Sequence, residues 1–380
     1  MRVAIVGVGA TPLRSLSTCA SFRELIYEAA VKAYEDAGVG PGDVDTFVAV
    51  SEDYWEGTAI FDEYVPDQLG AVLKPVHTIC ADGITALAAA MMQLQTGRFR
   101  IAVVEGHAKP SNVLHPSHIE AFALDPVFVR PLGLNPRFVA GLGMRRFLAE
   151  RGYTELDCAR VVAENRRHAL DNPWAAHAAR VEPEDVLASE PLAEPLKELD
   201  VAPYADGAVV LVLATEEVAR ELRDDPVFVR GIGWAQETPD LSQQDWVRAV
   251  YCELAAARAY RMAGIRDPVR ELDLAEVDDT FSYKELQHLE ALGLARPGDA
   301  AAMLKEGFFS RGGQLPVNPS GGNLGAGYLL DASGLRQVAE VVWQLRGEAG
   351  ARQVPGAEVG LAQSWRGIPT ASGAVAVLAR

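Results

Sequence analysis

The feature that most constrains this chain is an order of elements that occurs twice. Residues 2–10, RVAIVGVGA, form a short β-branched run ending in glycines, and the helix-spaced segment SFRELIYEAAVKAYEDAGV follows at 21–39. The same pair returns as PVFVRGIGW at 226–234 and QQDWVRAVYCELAAARAYRMAGI at 243–265. VDTFVAV at 44–50 has its counterpart in LAEVDDTFS at 274–282, and RIAVVEG at 100–106 in VGLAQSW at 359–365. The helical run at 83–96 is matched by SGLRQVAEVVWQLRG at 333–347, with Gly97 and Gly347 closing the two helices. No short period is present, so the pattern predicts one α/β unit duplicated, with halves at 1–225 and 226–380, and not a solenoid. Alternating strands and helices predict a layered fold with a mostly parallel sheet. The first helix carries its own start and stop signals, Ser21 with Glu24 as a capping box and Gly38 as the C-cap. Residues 107–200 have no counterpart; the proline-rich KPSNVLHPSHIE followed by helical sequence reads as an insertion that covers one face and shapes a ligand pocket.

Charge and cysteine usage narrow the function. A formal net charge of -17 argues against binding to a nucleic-acid backbone, which requires a basic face. No run of about eighteen uninterrupted apolar residues is present and the N-terminus lacks signal-peptide character, so the expectation is a soluble cytoplasmic protein with no membrane span. Cys19, Cys80, Cys158 and Cys252 are scattered without metal-ligand spacing or a disulfide framework, and no metal site is expected. Cys80 stands apart from the other three. In HTICADGITALAAAMMQLQTG (77–97) it sits at a strand-to-helix turn, where unpaired backbone N–H groups and the helix dipole favour a thiolate and can hold an oxyanion. Cys158 and Cys252 fall within amphipathic helices and Cys19 in a loop, positions that confer no such activation. GGNLGAG (321–327) lacks the G-x-G-x-x-G spacing and a following acidic residue, and is not a dinucleotide site.

The element order, the Cys80 turn, DGAVVLVLA (206–214), VDDTFSYKELQHLEALGL (277–294), the block at 312–354 and the glycine-bearing AQSWRGIPTASGAVAVL (362–378) together resemble the thiolase superfamily across essentially the whole chain. Within it, the chain is similar to the group of sterol carrier protein X thiolase and archaeal acetyl-CoA acetyltransferases. The resemblance implies a duplicated five-layer α-β-α-β-α fold, a homodimer, and acyl transfer on a coenzyme A thioester, with no permanently bound cofactor. It places Cys80 at the acyl-accepting nucleophile, Tyr328 at the position of the family's basic histidine, Asp278 at a second histidine, Thr280 at the cysteine of that motif, and Ser364 or Gln363 at the third acid/base site. Gly325 and Gly367 are then expected to let the thioester or pantetheine arm approach the backbone, and Ser364 and His107 to contact substrate, His107 also being a substitute base.

Three altered acid/base positions open further readings. Imidazole titrates near neutrality, whereas an ordinary phenol near pKa 10 donates a proton more readily than it accepts one. A partly deprotonated Tyr328, or one linked to Asp278, Asp279 or Asp331, suits retro-aldol cleavage of a β-hydroxyacyl-CoA, the activity of similar superfamily aldolases that work with a zinc-ribbon/OB-fold partner. A third reading is a non-catalytic acyl-CoA-binding subunit of a complex. Of the adjacent pair Asp278 and Asp279, strand alternation allows only one to face a pocket.

Overall fold

The computed structural model describes residues 2–54, 60 and 63–380. In the first half β1 (Val3–Ala10) leads to α1 (Phe22–Ala37), β2 (Thr46–Val50), β3 (Val76–Ile79), α2 (Gly83–Gln95) and β4 (Ile101–Ala108). Two long helices, α3 (Pro136–Arg151) and α4 (Glu155–His168), precede β5 (Gly207–Thr215). The second half repeats the order with β6 (Val227–Gln236), α5 (Val250–Ala263), β7 (Leu274–Glu276), α6 (Ser282–Ala291), α7 (Ser333–Arg346), β8 (Val359–Trp365) and β9 (Ser372–Ala379). The nine strands are ordered β3-β2-β4-β5-β1-β6-β9-β8-β7. β1 and β6 join the two half-sheets through only Ala4 opposite Phe228 and Ile5 opposite Val227.

The sheet is mixed, not mostly parallel. β2 runs parallel to β3 and β4, and β7 parallel to β8, whereas β4–β5, β5–β1, β6–β9 and β8–β9 are antiparallel. The antiparallel pairs centre on the last strand of each half, β5 against β4 and β1 and β9 against β8 and β6. β9 follows β8 after a short loop, and so short a connection permits only an antiparallel neighbour. The repeat extends to an edge contact: the parallel bridge between Ala275 and Val317 occupies in the second half the place of the β2–β3 pairing in the first.

Helices α2 and α7 lie between the half-sheets, each packing on strands of both, while α1 covers the outer face of β1 and β5 and α5 that of β6 and β9. The layers are therefore α-β-α-β-α. The alternating glycines at the strand ends explain the outer layers. A Cβ on Gly7 or Gly9 would fall closer than 3.0 Å to Ala29, Ala33 or Ala37 of α1, and one on Gly231 or Gly233 equally close to Ala255, Ala259 or Ala263 of α5. Both outer helices thus present an alanine stripe to a strand without side chains. The capping signals of α1 hold: Ser21 N–H donates to Glu24 at 2.8 Å, and Gly38 closes the helix at φ 66°. Two elements are shorter than their sequence pattern. α5 begins at Val250 instead of near 243, and β7 ends at Glu276, after which the Asp278–Thr280 side chains are engaged in local hydrogen bonds. No helix among the described residues is long and apolar enough to cross a membrane.

Candidate active site

The central helices bring the two halves together at their N-termini. A Cβ on Gly83, the first residue of α2, would meet Leu335 and Gly334 of α7 closer than or near 3.0 Å, and Gly334 in turn abuts Ile84. This glycine contact sets the turn bearing Cys80 beside the turn bearing Tyr328 and Asp331. Both turns line one cavity of about 470 Å³. Thr280 and Phe281 join it from the segment between β7 and α6; Arg366, Gly367, Ile368 and Thr370 from the β8–β9 loop; Ile119, Glu120, Phe122, Ala123 and Pro136 from the β4–β5 connection; and Glu52 and Asp53 from the chain after β2. Much of the wall is apolar, with polar groups at a few defined points, the usual composition of a small-molecule site.

Cys80 is exposed to this cavity and forms no disulfide, whereas Cys158 and Cys252 are buried, with burial pushing their thiols up. The helix N-terminus behind Cys80 differs from the expectation of vacant N–H groups. Asp82 caps α2, its Oδ1 accepting from the Ile84 and Thr85 amides at 2.9 and 3.1 Å and its Oδ2 from Thr85 Oγ1 at 2.9 Å. Its buried carboxylate thereby takes up two of the amides and offsets the dipole that would otherwise act on the thiol. Ser364 donates to the same Asp82 oxygen at 2.6 Å, so a residue of the second half fixes the cap of the first-half helix. Ser364 is buried, lies outside the cavity lining and holds the Cys80 turn from behind.

Tyr328 lines the cavity and is 7% exposed. Burial, then Asp278, Glu120 and Asp331, hold its phenol well above the ordinary tyrosine range. These surroundings favour the protonated, donating phenol over the partial deprotonation on which one form of the retro-aldol expectation depended. Its ring stacks on Tyr204 with centroids 6.0 Å apart, and Tyr204 donates to Glu120 at 2.5 Å. A Cβ on Gly367 would stand 3.9 Å from the Tyr328 hydroxyl, so this glycine, at φ 96°, leaves the approach to the phenol open.

Asp278 and Asp279 are both fully buried and neither belongs to the cavity wall. Asp279 accepts from the Asn323 and Leu324 amides and from Asn165, closing the short helical turn Gly322–Ala326. Asp278 accepts from Thr280 N–H at 3.1 Å, Thr280 Oγ1 at 3.2 Å and Asn323 Nδ2 at 3.1 Å. Burial and the neighbouring Asp279 raise its pKa to about 7, and its hydrogen bond to Thr280 connects it to the cavity. His107 is a correction. Gly106 faces Ala332, just before α7, and Leu335 of α7, so the next residue on the strand turns to the opposite side, where His107 bonds Glu105 at 2.8 Å and stacks on Phe22 of α1 at 5.5 Å. Gly325 is likewise elsewhere: it allows the 322–326 turn to lie against Asn165, Arg166 and Ala169. His288 is buried, neutral, with its pKa pushed down to about 3, and is held between Tyr251 and the Asp278 carbonyl. Among the described residues no histidine lines the cavity.

Sequence reasoning missed Glu120, Tyr204 and Arg366. They lie in loops and in the unduplicated connection, where neither periodicity nor the repeat marks a residue; Arg366 pairs with Glu52 across the cavity rim.

A duplicated five-layer fold with a cysteine turn and its symmetry mate on one cavity defines a class, and the chain belongs to the thiolase superfamily. Residues 233–380 match the thiolase C-terminal domain-like family. An acetyl-CoA acetyltransferase of Methanothermobacter thermautotrophicus is 35% identical over 365 residues, covering 94% of each chain. Sterol carrier protein 2 of Oryctolagus cuniculus is 30% identical over 381 residues, 95% of this chain and 69% of that protein. Among solved structures, the Ltp2-ChsH2(DUF35) aldolase superposes with a TM-score of 0.85 at 26% identity, over 100% of this chain and 97% of that one.

Proposed function

We propose that this protein is an enzyme that acts on a coenzyme A thioester held in the cavity between the Cys80 and Tyr328 turns, transferring the acyl group or making or breaking a carbon–carbon bond next to the thioester. One observation carries the reading: the two turns, one from each half, line a single largely apolar cavity. In acyl transfer, Cys80 Sγ bonds to the thioester carbonyl carbon, the bond to the CoA sulfur breaks, and the thiol proton leaves with CoA. The Tyr328 hydroxyl donates a hydrogen bond to the oxygen on which charge develops. No permanently bound cofactor is needed for these steps.

Carbon–carbon cleavage of a β-hydroxyacyl-CoA is the second reading, and a specific observation favours it: among the described residues the cavity is lined by a phenol that its surroundings hold toward the protonated form and by no imidazole to accept the cysteine proton. A carboxylate in the cavity wall, Asp331, takes the β-hydroxyl proton, the Cα–Cβ bond breaks to release a carbonyl fragment, the electron pair moves into an enolate whose oxygen accepts from Tyr328, and Cα then takes the proton back from the carboxyl group. The aldolase among the solved relatives supports it. Under this reading a zinc-ribbon/OB-fold partner is proposed, and the exposed Leu114, Phe122, Val127, Phe128 and Leu132 of the β4–β5 connection, of which Phe122 also lines the cavity, supply apolar surface for it. A homodimer is proposed through the sheet edge at β3, which has no neighbour on its outer side among the described residues and ends directly at Cys80. The test compares wild type, Cys80→Ser and Tyr328→Phe on acetoacetyl-CoA and on a β-hydroxyacyl-CoA, with products resolved by mass spectrometry. Acyl transfer predicts that Cys80→Ser loses at least about 100-fold in rate. Retro-aldol chemistry predicts that Tyr328→Phe does so while Cys80→Ser retains cleavage. Full activity in both variants contradicts the proposal.

A further inference from the structure

Thr280 connects a fully buried carboxyl group to the cavity. Its side chain lines the cavity wall, while its Oγ1 lies 3.2 Å from Asp278 Oδ2 and 3.3 Å from Asn323 Nδ2. Asp278 is 0% exposed. Several polar and titratable groups face it, among them Cys252 of α5, which lies within its field. Asp279 is its neighbour in sequence; α6 supplies Lys284, which favours the charged carboxylate, and His288, whose Nδ1 bonds the Asp278 carbonyl at 2.9 Å. Tyr251 of α5 bonds His288 at 2.9 Å, Gln363 of β8 accepts from the Asp278 N–H at 2.9 Å, Asn323 donates to the carboxylate, and Tyr328 lies within its field. Among the described residues, no charged side chain forms a hydrogen bond or ion pair with this carboxylate, so it is free to exist in either protonation state.

A hydroxyl has one proton and can both donate and accept. With Asp278 ionised, Thr280 donates to Oδ2 and presents only a lone pair to the cavity. With Asp278 protonated, the carboxylic O–H donates to Thr280 and the threonine proton turns toward the cavity. We propose that Thr280 is a substrate-contacting residue whose hydrogen-bond polarity is set by Asp278: a donor to the thioester carbonyl when Asp278 carries its proton, an acceptor when it does not. Asp278 is on this account a positioning residue that acts through Thr280. The inference rests on the acyl-CoA reading of the cavity and adds to it a second hydrogen-bonding group for the carbonyl oxygen beside Tyr328.

The test measures the affinity of the full-length protein for acetoacetyl-CoA from pH 5.5 to 8.5. Wild type binds about 3- to 10-fold more tightly on the acid side of an inflection near pH 7, the factor that one neutral hydrogen bond contributes. Thr280→Val, nearly isosteric, lacks that inflection and binds at the weak limit throughout, Thr280→Ser restores it, and Asp278→Asn, which cannot ionise, gives a profile without it. Other cavity groups, among them Glu120, Asp331 and Cys80, are common to all four proteins, so only the difference between profiles is read. Thermal unfolding of each variant verifies the fold; should Thr280→Val not fold, Asp278→Asn and Thr280→Ala carry the comparison. A Thr280→Val profile that keeps the wild-type inflection overturns the inference and leaves the acyl-CoA reading standing. No binding of acetoacetyl-CoA by wild type at any pH overturns both.

Discussion

Asp82 shows how much of a catalytic turn is decided one residue away from the nucleophile. Its carboxylate satisfies the α2 amides and accepts from Ser364, so the thiol of Cys80 is presented by a fixed turn and not by an open helix end. The cysteine was legible in the sequence because a strand-to-helix turn is a recognisable place for a nucleophile; the neutralising cap was not, because Asp at an N-cap is ordinary helix chemistry and says nothing of what it withholds from its neighbour. Tyr328 was legible as a substitution in an expected position, but its protonation state comes from burial beneath Tyr204 and the nearby Asp278, Glu120 and Asp331, contacts brought together by three separate segments. His107 misled for a simpler reason: at the end of β4 it lies one residue past the one that faces the central helices, and a shift of one along a strand reverses the face.

At the scale of elements, the duplicated strand–helix pairs are governed by backbone proximity. The glycines of β1 and β6 were visible as a pattern, and their cause is the close seating of α1 and α5 on strands whose burial leaves no room for a methyl group. Gly9→Ala is therefore expected to lower unfolding free energy by about 1–3 kcal/mol through overpacking against Ala29 and Ala33. Gly42→Ala, where a Cβ meets nothing within 4 Å, should stay within about 0.5 kcal/mol of wild type. Urea denaturation of the two variants checks the pair, and equal stabilities would contradict the account of the outer layers. The parallel or antiparallel sense of the strands was not legible, because the alternating pattern marks strands and helices and is silent about the direction in which the final strand of each half enters the sheet.

The whole molecule places an unusual number of carboxyl groups in its interior. Burial raises Glu276 and Asp278 to about 7, Asp279 to about 6 and Glu285 to about 8, all in the second half and all tied to one another through Asn165, Asn318, Asn323 and Arg336. Their folded-state values lie above the unfolded ones, so between about pH 4.5 and 8 the folded chain binds more protons and stability falls as pH rises. His288, lowered to about 3, acts in the opposite sense below pH 6.5, and Lys284, lowered to about 8, does so near and above pH 8, where in each case the unfolded chain binds the proton, but these are two groups against four. Thermal unfolding should therefore give a lower Tm at pH 8 than at pH 6, and a Tm that rises over that interval would show that the cluster is already ionised in the folded protein. The same architecture serves the site, since two halves that meet through α2 and α7 deliver one turn each to the cavity. Whether that cavity does covalent chemistry is answered by intact-mass spectrometry after incubation with acetyl-CoA and acetoacetyl-CoA, followed by peptide mapping, on wild type and Cys80→Ser. The account predicts that an acyl adduct, where one forms, lies on Cys80 and is absent from Cys80→Ser, and that wild type binds the thioester in either case. An adduct on another residue, or no thioester binding at all, would contradict the assignment of the cavity as an acyl-CoA site.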